Sequence, residues 1–212
     1  MYGEDASAVA RQFEEQGGDI IHVVDLDAAK SGRLENLEIV RQIVGAVKIP
    51  VEVGGGIRSR ESAEAVLATG AARVICGTAL VKSPGLAEVL FSAYGDRIVA
   101  GIDARDGKAA VAGWIDQSDI LAVDLAISMQ ERGCRRIVLT DIARDGMLAG
   151  PNLGLLEVLA AALEIPIIQS GGIGSLDDVR QVAMHGLAEG VIIGRALYEG
   201  RLSLKEAVSL TR

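Results

Sequence analysis

Residues 49–80, IPVEVGGGIRSRESAEAVLATGAARVICGTAL, lie over residues 165–197, IPIIQSGGIGSLDDVRQVAMHGLAEGVIIGRAL, with one extra residue near Glu189. The Pro, the Gly-Gly-Ile, a Ser, the helix-ending Gly and the final G-x-A-L coincide. Upstream, at an offset of 116 residues, DIIHVVDLDAAKSGRLENL (19–37) falls on RRIVLTDIARDGMLAGPNL (135–153). That alignment pairs Asp25 with Asp141 and Asn36-Leu37 with Asn152-Leu153, and FEEQG (13–17) then meets MQERG (129–133). A chain that repeats itself over such a distance is built from two copies of one unit holding several elements.

The elements alternate. Short, β-branched apolar runs at Ile20–Val24, Val51–Val53, Val74–Cys76, Ile98–Ile102, Ile137–Leu139, Ile167–Ile168 and Val191–Ile193 read as buried strands. Helical patterns lie among them, from about Asp5 to Gln16 and at Asn36–Val47, Glu61–Ala68, Leu121–Arg132, Leu155–Leu163 and Leu176–His185. Strand and helix in alternation mean parallel strands joined by right-handed crossovers. Four βα units per half predict one (β/α)₈ TIM barrel of two similar half-barrels, residues 1–97 and 98–212. A dinucleotide-binding open sheet is disfavoured, because no G-x-G-x-x-G follows the first strand. The repeat exposes a gap. The strand RIVAGIDARDGK (97–108) has its counterpart in front of Met1. The expectation is therefore seven strands, with the first strand of the barrel absent from this chain. The edges left on strands Ile20–Val24 and Val191–Ile193 would favour self-association.

Composition narrows the function. A net charge of −8 argues against non-specific nucleic-acid or membrane-surface binding, which needs a basic face. It does not exclude a small anion, which loop amides and a single Arg can hold. No apolar run reaches spanning length and no leader pattern opens the chain, so the expected compartment is the cytoplasm. Cys76 and Cys134 are expected as buried free thiols, and with only His22 and His185 besides, no metal site and no cofactor is expected.

In such a barrel the working residues lie at the carboxyl ends of strands. Two Gly-rich turns converge there in each half: Gly55 and Gly56 with Gly77 and Thr78, and Gly171 and Gly172 with Gly194 and Arg195. Gly-rich turns that open helices present N–H groups to a phosphate, although a tight turn alone can also require glycine. Two such sites across one mouth would suit a substrate phosphorylated at both ends. Asp103 follows IVAGI and is an acid–base candidate or a turn-capping Asp. Asp145 is a second candidate or an Asp-Gly turn residue, and Thr140 ends its strand as a site or core hydroxyl. Arg58 reads as an anion partner or an exposed helix-start Arg. Trp114, in a polar loop, reads as a stacking surface for ligand or as core filling.

HVVDLDAAKSG, VEVGGGIRS, GTAL, GIDARDGKAAVAGW, TDIARDGMLAGPN, and SGGI with GRALYEG together resemble the ProFAR isomerases of histidine biosynthesis, from residue 2 to the C-terminus. The resemblance implies a two-half barrel that performs an Amadori rearrangement of a bis-phosphorylated aminoaldose without metal or cofactor. It implies Asp103 as proton donor, with Asp145 and Thr140 as supporting or alternative acid groups. It places phosphate ligands at Gly56, Gly77 and Thr78, and at Gly146, Gly172, Gly194 and Arg195. The family's general base, an aspartate ending strand one, matches no residue here, so poor turnover is expected. A non-catalytic barrel fragment, the sister cyclase and a dual histidine–tryptophan isomerase are the alternatives. GTA after Cys76 and GW at 113–114 favour the isomerase over the cyclase.

Overall fold

The structure is a computed structural model and describes residues 5–111 and 116–211. Among the described residues there are nine strands: β1 (Ile21–Val24), β2 (Val51–Gly54), β3 (Arg73–Cys76), β4 (Ile98–Arg105), β5 (Lys108–Val111), β6 (Asp116–Leu121), β7 (Ile137–Asp141), β8 (Ile167–Ser170) and β9 (Gly190–Ile192). Seven of them form one parallel path in the order β1-β2-β3-β4-β7-β8-β9, with helices in the crossovers. This is the α/β barrel arrangement, nearly closed.

The expectation of seven strands is corrected to nine. β4 runs past Ile102 to Arg105, turns at Asp106-Gly107, and returns antiparallel as β5, which then pairs with β6. Both turn residues have positive φ, +52° and +76°, as a two-residue hairpin turn requires to match strand twist. Ala104 pairs with Ala109 and Arg105 with Lys108 across that turn. The stretch read as a polar loop is thus partly a hairpin standing on the carboxyl end of β4. Trp114 lies outside the described residues. A helix at Pro84–Tyr94, opened by Pro in its first turn, was not among the expected patterns.

Helix ends follow local chemistry. Asp5 caps helix Ala6–Glu15 by accepting from the Ser7 and Ala8 amides at 2.9 and 3.1 Å. Ser59 and Ser175, which are 116 residues apart, cap helices Arg60–Leu67 and Leu176–His185 through matching capping boxes.

Two layers of apolar packing result. Alternate strand residues such as Val53, Val74, Ile98, Ile102, Ile137 and Ile167 face the helices in the larger core. The intervening residues Ile75, Val99, Val138 and Ile168, with Ile192, form a small cluster filling the barrel interior. The period of two therefore says which strand residues point inward. Cys76 and Cys134 are free and buried. Burial pushes the Cys76 thiol up to about 12 and raises Cys134 as well. Among the described residues no helix is long and apolar enough to cross a membrane.

Candidate active site

Asp103 lies two residues beyond Gly101 and four beyond Val99 on β4, so it shares their inward face. Its register partner on β7 is Thr140, whose partner on β8 is Ser170. The three side chains form a row across neighbouring strands, above the apolar interior layer and at the carboxyl end of the sheet. Thr140 and Ser170 are 9% and 8% exposed, so their hydroxyls sit in a sheltered, polar wall. The structure brings Asp103 and Thr140 into register on adjacent strands. It adds Ser170, which stood in SGGI but was not singled out.

Asp145 follows the same strand in a turn held by its amide, which donates to the Asp141 carbonyl at 2.9 Å. Its carboxylate is partly desolvated by burial, which raises its pKa above the ordinary value. The Gly146 N–H and the charge of His22 oppose that rise. His22 itself is inward on β1, with Nδ1 2.8 Å from Glu52 Oε1. It went unread because a lone His inside IIHVV resembles a core histidine.

The glycine loops divide into two kinds. Gly55 and Gly171 are pressed against the preceding unit: a Cβ would lie 2.3 Å from the Asp25 carbonyl oxygen and 2.8 Å from that of Asp141. Gly56 would meet Ala28 Cβ at 2.6 Å, and Gly172 the Gly150 carbonyl oxygen at 2.2 Å. All four have positive φ. These glycines therefore have a sufficient reason in backbone close approach, whatever else they contact.

Gly77, Gly146 and Gly194 differ, since no atom lies within 3.4 Å of a Cβ at Gly77 and none within 4 Å at Gly146 or Gly194. Gly77 and Gly194 cap helices Thr78–Lys82 and Arg195–Tyr198 with nearly the same backbone, φ −111° and ψ −107° against φ −107° and ψ −100°. Arg195 donates to the Gly146 carbonyl at 2.7 Å, which joins the loop after β7 to that after β9. Arg58 is turned away from such a role: its guanidinium donates to the Ala29 carbonyl at 3.0 Å and covers Gly32.

The paired letters of the repeat acquire a reason here. Asn36 donates to Asp25 at 2.9 Å and Asn152 to Asp141 at 2.6 Å. Each pair ties a strand end to the start of the next long helix and fixes the floor on which a glycine loop rests. Gly172→Ala is expected to push that loop off Gly150, costing about 1–3 kcal/mol of stability. Gly146→Ala, with open space around it, should cost only the left-handed penalty of about 1–2 kcal/mol. Urea melts of the two variants check the order, and a larger loss at Gly146 would overturn it.

Among the described residues no cluster of His, Cys, Asp or Glu could hold a metal ion. Residues 1–203 match the family described as histidine biosynthesis protein. A 1-(5-phosphoribosyl)-5-((5-phosphoribosylamino)methylideneamino)imidazole-4-carboxamide isomerase from a Picosynechococcus species is 49% identical over 98% of this chain and 82% of its own length. Isomerases of the same description from Chloroflexus aggregans and Acetivibrio thermocellus are 48% and 42% identical, each over 100% of this chain and 88% and 89% of their own lengths.

Proposed function

Because this chain belongs to the histidine biosynthesis protein family, we propose that it is an intramolecular aldose–ketose isomerase acting on the ribotide its relatives are named for. That ribotide carries two phosphoribosyl groups, one at each end. The observation that carries the chemistry is the inward row of Asp103, Thr140 and Ser170 at the carboxyl end of β4, β7 and β8.

The rearrangement needs an acid first. A proton delivered to the ribose ring oxygen lets the C1′–oxygen bond break as the exocyclic nitrogen's lone pair forms the C=N bond of a Schiff base. The carboxylate that Asp103 becomes then takes the C2′ proton as the C–H electron pair forms the C1′=C2′ bond of an enolamine, which tautomerises to the aminoketose. Asp103 is the donor in this scheme. Thr140 and Ser170 orient the sugar hydroxyls, and Asp145 is a second acid, its raised pKa extending its protonated fraction upward in pH. One phosphate rests at Gly55, Gly56, Gly77 and Thr78, and the other at Gly146, Gly171, Gly172, Gly194 and Arg195. The matched backbones of Gly77 and Gly194 support that pairing. Trp114 is assigned to substrate contact in this reading, and Arg58 has at most a supporting part. In this reading residues 1–97 and 98–212 are two half-barrels, and the enzyme works in the cytoplasm.

The test is titration of the chain with the bis-phosphorylated ribotide, alongside conversion to the ketose product. Binding should weaken by at least about tenfold when either phosphate is removed. A folded chain that neither binds nor converts the ribotide would overturn the reading.

A further inference from the structure

The repeat separates what a backbone does from what a side chain adds. In the aligned G-x-A-L turns Arg195 takes the place of Thr78. The capping glycines of both turns share one backbone shape, so a task common to the two needs no guanidinium. In the loops after β1 and β7, Asp145 takes the place of Ala29 and Gly146 that of Lys30. The arginine and the acid occur together, in the same half of the chain.

The two loops are held differently. Ala29 and Lys30 lie in helix Leu26–Ser31, which Asp25 caps through the Ala28 amide and Gly32 ends in a left-handed turn. Residues 142–148 are a run of turns instead, with left-handed backbone at Gly146 and Leu148, φ +67° and +57°. A leucine there is strained, and such backbone persists only where its surroundings fix it. The far limb of the loop is fixed by the Arg144 guanidinium, which donates to the Ala149 and Gly150 carbonyls at 3.2 and 3.1 Å. The Gly150 amide in turn donates to the Gly172 carbonyl at 3.0 Å. The near limb is fixed from the β9 loop, where Arg195 Nη1 donates to the Gly146 carbonyl at 2.7 Å. Arg195 Nε donates to Glu199, which also accepts from Arg201 at 3.1 Å, so the guanidinium is itself oriented. Gly146 is engaged on both sides, its carbonyl by Arg195 and its N–H by the Asp145 carboxylate.

We propose that Arg195 is a positioning residue for Asp145: its guanidinium, oriented by Glu199, holds Gly146 and thereby fixes the carboxylate bonded to it. This rests on the isomerase reading, in which Asp145 is the second acid. The Arg195 side chain is 49% exposed, so its bond adds little to stability and its loss is felt in geometry.

The test is a double-mutant cycle on the full chain with the bis-phosphorylated ribotide. Arg195→Met should lower kcat at least about tenfold, move KM less than about threefold and leave the melting temperature nearly unchanged. Arg195→Lys, which keeps a donor near the carbonyl, should recover most of that loss. Joined to Asp145→Asn, Arg195→Met should add less than about twofold, because both act through one carboxylate. A raised KM with kcat intact would make the guanidinium a phosphate ligand and overturn the proposal. Additive losses, or an Asp145→Asn variant as fast as the parent, would overturn it too, and the isomerase reading survives all three. A second measurement needs no turnover. Amide hydrogen exchange at Gly146 should be at least about tenfold faster in Arg195→Met, with exchange in β7 unchanged. Equal exchange at Gly146 in variant and parent would overturn the proposal. If the parent converts no ribotide yet the substitution releases Gly146, the isomerase reading fails while the contact that positions Asp145 stands.

Discussion

Asp103→Asn lowers kcat by about 10²–10⁴ with little change in fold, KM or melting temperature. The substitution keeps shape and removes the proton donor. Asp103 is on the inward face of β4 in register with Thr140, so an amide of the same size keeps its contacts with the sheet. It cannot deliver a proton to the ribose ring oxygen, and the C1′–oxygen bond then breaks without acid assistance. Thr140→Val, which removes a hydroxyl that only orients, should cost less than Asp103→Asn. The measurement is steady-state turnover of the bis-phosphorylated ribotide. A kcat for Asp103→Asn within about threefold of the parent would remove Asp103 from the acid role and leave Asp145, whose pKa is already raised, as the candidate.

The strands of the parallel path were legible because each is a short β-branched run ended by Gly, Asp or Pro, and buried strands leave few other readings. Asp103 and Thr140 could be found for the same reason, as the first polar residues after such runs. Other features were hidden for definite physical reasons. Asp106-Gly107 is a strong hairpin signal, but it stood beside a barrel strand end, where a βα loop was the expected form. Helix Pro84–Tyr94 is apolar on most sides and shows weak periodicity. Asp25 and Asn36 were visible as repeated letters, but their hydrogen bond joins residues eleven apart in sequence and depends on how the loop folds back. Arg58 looked like an anion partner because GGGIR suggests one. Its guanidinium is instead taken up by the Ala29 carbonyl, a contact that only the packing of adjacent units could show.

Glu52→Ala should be the most destabilising single substitution in the barrel interior. Glu52 is inward on β2, fully buried, and in register with His22 on one side and Arg73 on the other. Its Oε1 meets His22 Nδ1 at 2.8 Å, while Oε2 lies 3.7 Å from Arg73 and has no hydrogen bond. A carboxylate is costly there and is held by those neighbours, so its removal strands them. Breaking a buried pair costs about 3–5 kcal/mol, and truncation adds a cavity. His22 and Arg73 keep 19% and 27% side-chain exposure, which lets water relieve them and places the loss near the lower end of that range. Glu52→Gln keeps the volume and should lose less. Denaturant melts of both variants decide the matter. Equal losses would mean that charge alone matters, and a neutral Glu52→Ala would mean that the row does not hold β1 to β2 and β3.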